Sequence, residues 1–362
     1  MRSGLSLALL IVCAVWLAGC GDRSSGSTQT PARSTPSTAA DTPTPAATAS
    51  PLAPRSVTIS AAGDVSLARQ LVERMAASGA DYPYELIRHL LSGDIAIANL
   101  EGALTERGEP WPKGYNFRTP PRFAVGLRNA GFDLVSLANN HAMDYGAIGL
   151  VDTLQALDDA GVAYVGAGEN RESAWAWQTL EANGLRIAFI GCALTPTEGG
   201  GFRIHAWAAG ADTPGMAICD DPALATTIEG ARRANDFVIV IVHAGTEYSN
   251  VPDATQRRIA DAALAAGADA YIGHHAHVVQ PVEQRGNRLI AWGLGNFIFD
   301  LDNVDLANIP QPRVSLVLNI TFTEGAGVTA WEAVPVTLDD AEDRPRPATP
   351  EEAGVLQELV MP

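Results

Sequence analysis

Six apolar runs rich in Val and Ile recur along the chain, and each ends in polar residues: SVTISAAGD (56–64), DIAIANLE (94–101), FDLVSLANNH (132–141), RIAFIGC (186–192), FVIVIVH (237–243) and ADAYIGHH (268–275). Continuous apolar runs of this length fit strands buried on both faces, not the strict alternation of a half-solvated sheet. Helical patterns lie between them, AIGLVDTLQALDDAG (147–161) and TQRRIADAALAAG (255–267), and each closes on a glycine, where a helix stops. Alternating strand and helix predicts an α/β fold with a largely parallel sheet. After Gln280 the pattern changes to strands with turns, NRLIAWGLGNFIFD, RVSLVLNITF and TAWEAVPVTL, which predicts an antiparallel second sheet.

In open α/β sheets ligands gather beyond the carboxyl ends of the strands. There this sequence keeps Asp64, then Asn99 and Glu101, then Asn139, Asn140 and His141, then His243, and finally His274, His275 and His277. Three of the seven histidines fall within four consecutive positions. Imidazoles and carboxylates at several strand ends are the ligand types for a divalent cation such as Mn, Fe or Zn. On an extended segment His275 and His277 project to one face and His274 to the other. In ANNH one asparagine can offer its oxygen to a metal while the other caps the turn into the next helix, and the residues leave open which does which. His141 can then act as a general acid at a leaving group. Glu247, four residues beyond His243, either orients that imidazole from behind or faces solvent.

The loop WPKGYNFRTP (111–120) follows Glu101 and carries Lys113, Tyr115 and Arg118. Cations so close to the expected site predict contact with a carboxylate or phosphate. They matter because the chain has 24 Lys and Arg against 41 Asp and Glu, a formal net charge of -17. That balance excludes a nucleic-acid partner, and it repels any anionic substrate unless cations in the site reverse the local field.

The first residues, MRSGLSLALLIVCAVWLAGC, have the layout of a secretory signal: a basic start, an apolar run and small residues before Cys20. The run is shorter than the roughly 18 residues a spanning helix needs. LAGC resembles the lipobox of bacterial lipoproteins, which implies lipidation of Cys20. Residues 21–55, nearly all Ser, Thr, Pro, Ala and Gly, read as a disordered tether. A single folded domain is expected over 56–340, with a C-terminal tail over 341–362. Cys192 and Cys219 are the cysteines left in the folded part; the compartment permits a disulfide, and the sequence leaves their pairing open.

GD at 63–64, NLE at 99–101, ANNH at 138–141, HAGTEY at 243–248, IGHHAH at 272–277 and LGNFIFD at 294–300 together resemble the bacterial capsule-synthesis CapA family, linked to poly-γ-glutamate synthesis and export. That family in turn resembles the calcineurin-like metallophosphoesterases. The resemblance implies a four-layer α/β/β/α sandwich of two mixed sheets with two divalent metal ions at one edge. It implies that Asp64 and His277 hold one metal, that Asn140, His243 and His275 hold the other, and that Glu101 bridges them. His141 is then the proton donor, with Asn139 beside it. Asn296 in the last motif is assigned to substrate along with the loop residues, and Asn99, Asp144, Glu247 and His274 to supporting contacts. One departure stands out: the usual Asp-x-His of the first strand is DVS here, so Ser66 stands where an imidazole is expected. Asp94 begins its strand and is at the wrong end for the site.

The functional expectation is a lipid-anchored protein of the cell envelope, facing outward, that hydrolyses or transfers a bond in an anionic cell-surface polymer or its precursor. The alternative is a non-catalytic polymer-binding or assembly component working with export-complex proteins.

Overall fold

The computed structural model describes residues 53–301, 303–309, 313–339 and 344–361. The signal, the Cys20 lipobox and nearly all of the tether lie outside the described residues. Among the strands of the two large sheets, four come first: β1 (Ser56–Val65), β2 (Ile95–Leu100), β3 (Leu134–Ser136) and β4 (Ala163–Val165). Then come β5 (Gln178–Ala182), β6 (Leu185–Leu194), β7 (Phe237–Ala244), β8 (Ala270–His274), β9 (Val282–Arg285) and β10 (Arg288–Ala291). The last are β11 (Asn296–Ile298), β12 (Val314–Thr323), β13 (Gly327–Asp339) and β14 (Arg344–Pro347). The principal helices are α1 (Gln70–Ser78), α2 (Gly146–Ala160), α3 (Ala223–Ala234), α4 (Ala254–Ala266) and α5 (Pro350–Val360).

Two mixed sheets result. One has the order β14-β13-β12-β1-β2-β3-β4, with β11 also pairing in parallel with β1; the other runs β9-β10-β8-β7-β6-β5. The expectation of a separate antiparallel sheet after Gln280 is corrected by this topology. Strands β12 to β14 are antiparallel but extend the first sheet through β1, and the hairpin β9–β10 extends the second. The second sheet is parallel at its centre, through β6, β7, β8 and β10. The turn pattern predicts hairpins here, but which open edge a hairpin joins is a tertiary matter.

Period-two alternation within the apolar runs explains the layers. Val57, Ile59 and Ala61 of β1 meet Phe237, Ile239 and Ile241 of β7 between the sheets. The alternate residues Val238, Val240 and Val242 face outward onto Ile228 of α3 and Ala260 and Ala263 of α4. On the far side, Ala62 and Val65 pack with Leu71 and Met75 of α1 and Leu150, Leu154 and Leu157 of α2. The result is the expected α/β/β/α sandwich. The helices stop where the sequence said: Gly161 and Gly267 take the left-handed conformation at φ 71° and 111°. Cys192 at the end of β6 is disulfide-bonded to Cys219, with their Cα atoms 5.1 Å apart.

The stretch expected as a tail is part of the fold. Strand β14 pairs with β13, and Leu356 and Val360 of α5, one helical turn apart, are buried in the core between the sheets. Burial of each is worth roughly 1.5–3 kcal/mol. Thr349 and Glu352 form a capping box at the start of this helix, and Pro350 suits its first turn.

The amino-terminal edges of the parallel strands share one device. Asp94, Asp133, Asp236 and Asp269 each stand just before a strand. Their carboxylates accept the backbone N–H of Thr58, Ala96, Arg186 and Val238 on the neighbouring strand, at 2.7–2.9 Å. Each of these aspartates also donates its own N–H to the carbonyl of that same neighbour. These reciprocal bonds close the ladder at its lower edge. Asp94 serves here, far from the site, as its position in the sequence predicted.

Candidate metal centre

Two glycines let the site form. A Cβ on Gly63 would lie 2.0 Å from the Gly295 carbonyl oxygen, and one on Gly273 would lie 2.0 Å from the Trp292 carbonyl oxygen. Only glycine permits such backbone approach, and each immediately precedes a site residue, Asp64 or His274.

Asp64, next to last in β1, is buried. Its Oδ1 accepts from Asn99 Nδ2 at 2.8 Å and its Oδ2 from the His275 backbone N–H at 3.3 Å. His274 Nδ1 lies 3.0 Å from Oδ1, off the line of a hydrogen bond. Burial pushes the Asp64 carboxyl upward, but the charge of His274, aided by His277 and the hydrogen bond from Asn99, prevails and holds it below its ordinary value. Glu101 follows β2 and behaves oppositely. Burial, reinforced by the negative charge of Asp64, lifts it well above the carboxylate range. Its Oε1 is buried without a hydrogen-bond partner, 3.8 Å from His141 Nε2 and 4.0 Å from His277 Nε2.

The loop after β8 departs from the extended geometry expected. Strand β8 stops at His274, and His275 and His277 take positive φ values of 88° and 58°. Left-handed backbone is costly for residues with a Cβ and collects at functional sites. Here it turns both rings inward, with centroids 6.1 Å apart. His277 donates from Nδ1 to Asn296 Oδ1 at 2.8 Å, which leaves Nε2 facing Glu101. His275 Nδ1 is buried with no partner. Burial first, then the neighbouring His277, lowers His275 to about 3. Burial and the surrounding imidazoles likewise hold His243 well below its ordinary value. Neutral imidazole is the form that binds metal.

His243 Nε2 lies 2.9 Å from Asn140 Oδ1, so two groups expected on one ion already converge. Asn139 settles the question left open in ANNH: its amide donates to Asn99 Oδ1 and the Leu100 carbonyl, and its Oδ1 accepts the His141 N–H. Asn139 therefore holds the turn, and Asn140 points to the site. His141 Nδ1 is 2.7 Å from Asp144 Oδ2, and its ring stacks on Phe117 at 4.0 Å. Burial outweighs the Asp144 carboxylate and, with the Lys113 charge, lowers His141 to about 4.

The loop cations are placed differently from expectation. Lys113 is buried, its Nζ 2.9 Å from Asp144 Oδ1 and 3.8 Å from Glu198 Oε2, and it donates to the Asn140 carbonyl. It supports Asp144 and the ANNH turn from behind. Arg118 donates to the carbonyls of Arg107 and Gly108 and lies 3.5 Å above the Tyr145 ring. Tyr115 does reach the mouth of the site and is half-exposed. Asn296 holds His277 from behind. Glu247, left between His243 and solvent by the sequence, joins His275 and His277. Sequence reasoning missed Arg69, Phe117, Tyr248 and Phe299 at the mouth; the one available signal was that Arg69 lies five residues beyond Asp64 in a chain poor in cations.

Two groups of side chains are positioned to coordinate divalent metal ions: Asp64, Glu101 and His277, and Glu247, His275 and His277. Within each, one ligand atom per residue lies within 4.8 Å of the others. The orphaned Glu101 Oε1 and His275 Nδ1 fit that role, since buried polar atoms without partners are otherwise costly.

The family model described as bacterial capsule synthesis protein PGA_cap matches residues 58–301. A Bacillus subtilis protein named PGA biosynthesis protein CapA is 33% identical over 287 residues, covering 78% of this chain and 72% of its own. The capsule biosynthesis protein CapA of Bacillus anthracis is 32% identical over 316 residues, covering 84% and 72%.

Proposed function

The chain belongs to the PGA_cap family of bacterial capsule synthesis proteins, and from that premise we propose that it is a metal-dependent hydrolase or transferase acting on an anionic cell-surface polymer or its precursor. The polymer is poly-γ-glutamate or one of similar charge. In this reading a lipid at Cys20 anchors the protein to the outer side of a bacterial membrane, and export-complex proteins are its neighbours. Among the described residues no helix is long and apolar enough to cross a membrane.

The observation that carries the reading is Glu101. A buried carboxylate with a bare oxygen, between His141 and His277, is costly unless cations complete it. Asp64, Glu101 and His277 would hold one ion; Asn140, His243 and His275 would hold the second, with Glu247 beside them. A bound metal pair would polarise the scissile group and supply a nucleophile at neutral pH. The chain's own residues do the rest. Asn296 fixes Nδ1 of His277 so that Nε2 faces the ions. Asp144, backed by Lys113, holds Nδ1 of His141, so Nε2 is the atom that takes up and returns a proton. Phe117 stacks on that ring and keeps water from it.

The test is metal content of the purified full chain after loading with Mn, Fe or Zn, beside turnover of bis(p-nitrophenyl) phosphate. About two ions per chain are expected, falling in Glu101→Ala and His275→Ala. His141→Ala should keep its metal and lose about 10²–10⁴-fold in turnover. Absence of metal under every loading condition would retire the hydrolase. A second reading, polymer binding without catalysis, draws on Ser66, which stands buried where an imidazole ligand is expected.

A further inference from the structure

A cavity of about 330 Å³, within the size range of small-molecule sites, shares a wall with the cleft that reaches Glu247 and His275. The shared wall is Pro196 and Thr197, just beyond the end of β6. Thr195, Thr197, Arg203, His205 and Thr255 supply the polar lining, and Leu194, Pro196 and Ile204 the apolar part. None of these side chains belongs to the metal-binding groups.

Three segments of chain build the cavity, and each is tied down. The disulfide between Cys192 and Cys219 fixes the root of the segment that carries Thr195, and next to Cys219 stands Asp220, whose Oδ2 lies 2.9 Å from His205 Nε2. Gly245 brings the loop after β7 against the start of α4. Its φ is 125°, and a Cβ there would lie 2.6 Å from Gln256 Oε1, so only glycine permits the approach. Asp253 caps α4: Oδ1 accepts the Gln256 N–H at 2.9 Å, and Oδ2 accepts the Thr246 hydroxyl at 3.1 Å. Both of its oxygens are thereby engaged, while the N–H groups of Ala254 and Thr255, first in the helix, keep no intrahelical acceptor.

Thr195 points to a ligand. It is 9% exposed, it lines the cavity, and its Oγ1 is buried without a hydrogen-bond partner, which is costly unless something completes it. Arg203 gives the ligand its sign, since among the described residues this exposed cation is paired with no carboxylate. We propose that the cavity is a second ligand site, separate from the metal centre, that holds the phosphoryl group of a small phosphomonoester. A phosphoryl group offers three acceptor oxygens, and the lining offers donors of the matching kinds: a guanidinium fork, threonine hydroxyls and the first N–H groups of a helix. A carboxylate has too few oxygens to engage them together. The volume exceeds what one phosphate fills, and Leu194, Pro196 and Ile204 face the remaining carbon body. The site does not depend on what the metal centre does, and its ligand carries negative charge into an acidic chain only because Arg203 and the helix end reverse the local field.

The experiment is calorimetric titration of the full chain with glycerol 3-phosphate, inorganic phosphate and acetate. Each titration is run on the metal-loaded chain and on Glu101→Ala, so that an anion held by metal is not counted. Glycerol 3-phosphate should bind most tightly and acetate least, with the same affinity for the ester in Glu101→Ala. Arg203→Gln and Thr195→Val, each made in both backgrounds, should weaken the ester about tenfold with an unchanged melting temperature. Inorganic phosphate bound as tightly as the ester supports the site with free phosphate as its occupant. Acetate bound as tightly as phosphate overturns the phosphoryl assignment. The site itself is overturned by absence of binding, by binding that vanishes in Glu101→Ala while the fold persists, or by undiminished binding in Arg203→Gln on the Glu101→Ala background. Because Arg203 is exposed, its replacement decides the matter even where Thr195→Val lowers stability.

Discussion

The two edges of the same sheets treat their carboxylates in opposite ways. At the amino-terminal edge Asp94, Asp133, Asp236 and Asp269 each accept a backbone N–H from the adjacent strand. At the carboxyl-terminal edge Asp64 and Glu101 sit among imidazoles, and Glu101 keeps an oxygen without a partner. Charge and burial alone do not separate the two sets, since Asp269 is nearly as buried as Asp64. What separates Glu101 from the others is satisfaction, since both oxygens of Asp64 accept hydrogen bonds, from Asn99 and from the His275 N–H. A carboxylate that closes a ladder stabilises the fold, and one left incomplete in the interior costs stability and is available for chemistry.

Opposite signs of mutation would make that contrast quantitative. The largest effect is expected on acidifying metal-free protein. His141 and His275 have folded values of about 4 and about 3 against 6.5 ordinarily, so the folded form takes up their protons later than the unfolded chain does. Their contribution is full above 6.5 and is lost as pH falls through the interval below it, at roughly 1.4 kcal/mol per pH unit for each group. Denaturant melts from pH 7 to pH 4 measure this, and a flat profile would show that the imidazoles are solvated.

Next come Glu101→Gln and Asp133→Ala, again without metal. Because the folded-state value of Glu101 is raised, its cost grows as pH rises above the ordinary 4.5. Glu101→Gln should therefore stabilise the protein at pH 7, with the gain vanishing below 4.5. Asp133→Ala leaves the Ala96 N–H unpaired and should cost about 1–2 kcal/mol at neutral pH. Changes of the same sign in the two variants would break the comparison.

The smallest effect belongs to a carboxylate outside both edges. Glu352 caps α5, and its hydrogen bonds to Arg346 lower it to about 2 from 4.5. Its contribution is complete above 4.5 and is lost as pH falls toward about 2. Solvent screening keeps the effect of Glu352→Gln below about 1 kcal/mol, measurable as a slight shift in midpoint.

Much of this molecule was legible before any coordinates. The strands, the two capped helices and the polar strand ends follow from periodicity and glycine placement, because local sterics and burial on both faces act within a few residues. Thr349, Pro350 and Glu352 spell out the start of α5, but a short Pro-rich approach hides a pattern that needs only Leu356 and Val360 to pack. Other assignments depended on partners distant in sequence. Lys113 looked like a substrate cation until Asp144 and Glu198 closed on it, and Asn296 looked like a substrate contact until His277 took it. His275 and His277 were expected on one face of an extended segment, yet they share a side through left-handed backbone that no residue type announces.

By itself, then, the sequence determined which side chains stand at the strand ends and that they are imidazoles, amides and carboxylates. Only the tertiary structure decided which of them are satisfied by one another and which, like Glu101 Oε1 and His275 Nδ1, are left bare. The physical reason is range. Strand and helix identity is fixed by neighbours along the chain, whereas the state of a buried polar atom depends on groups up to 211 residues away in sequence, the separation between Asp64 and the His275 N–H it accepts.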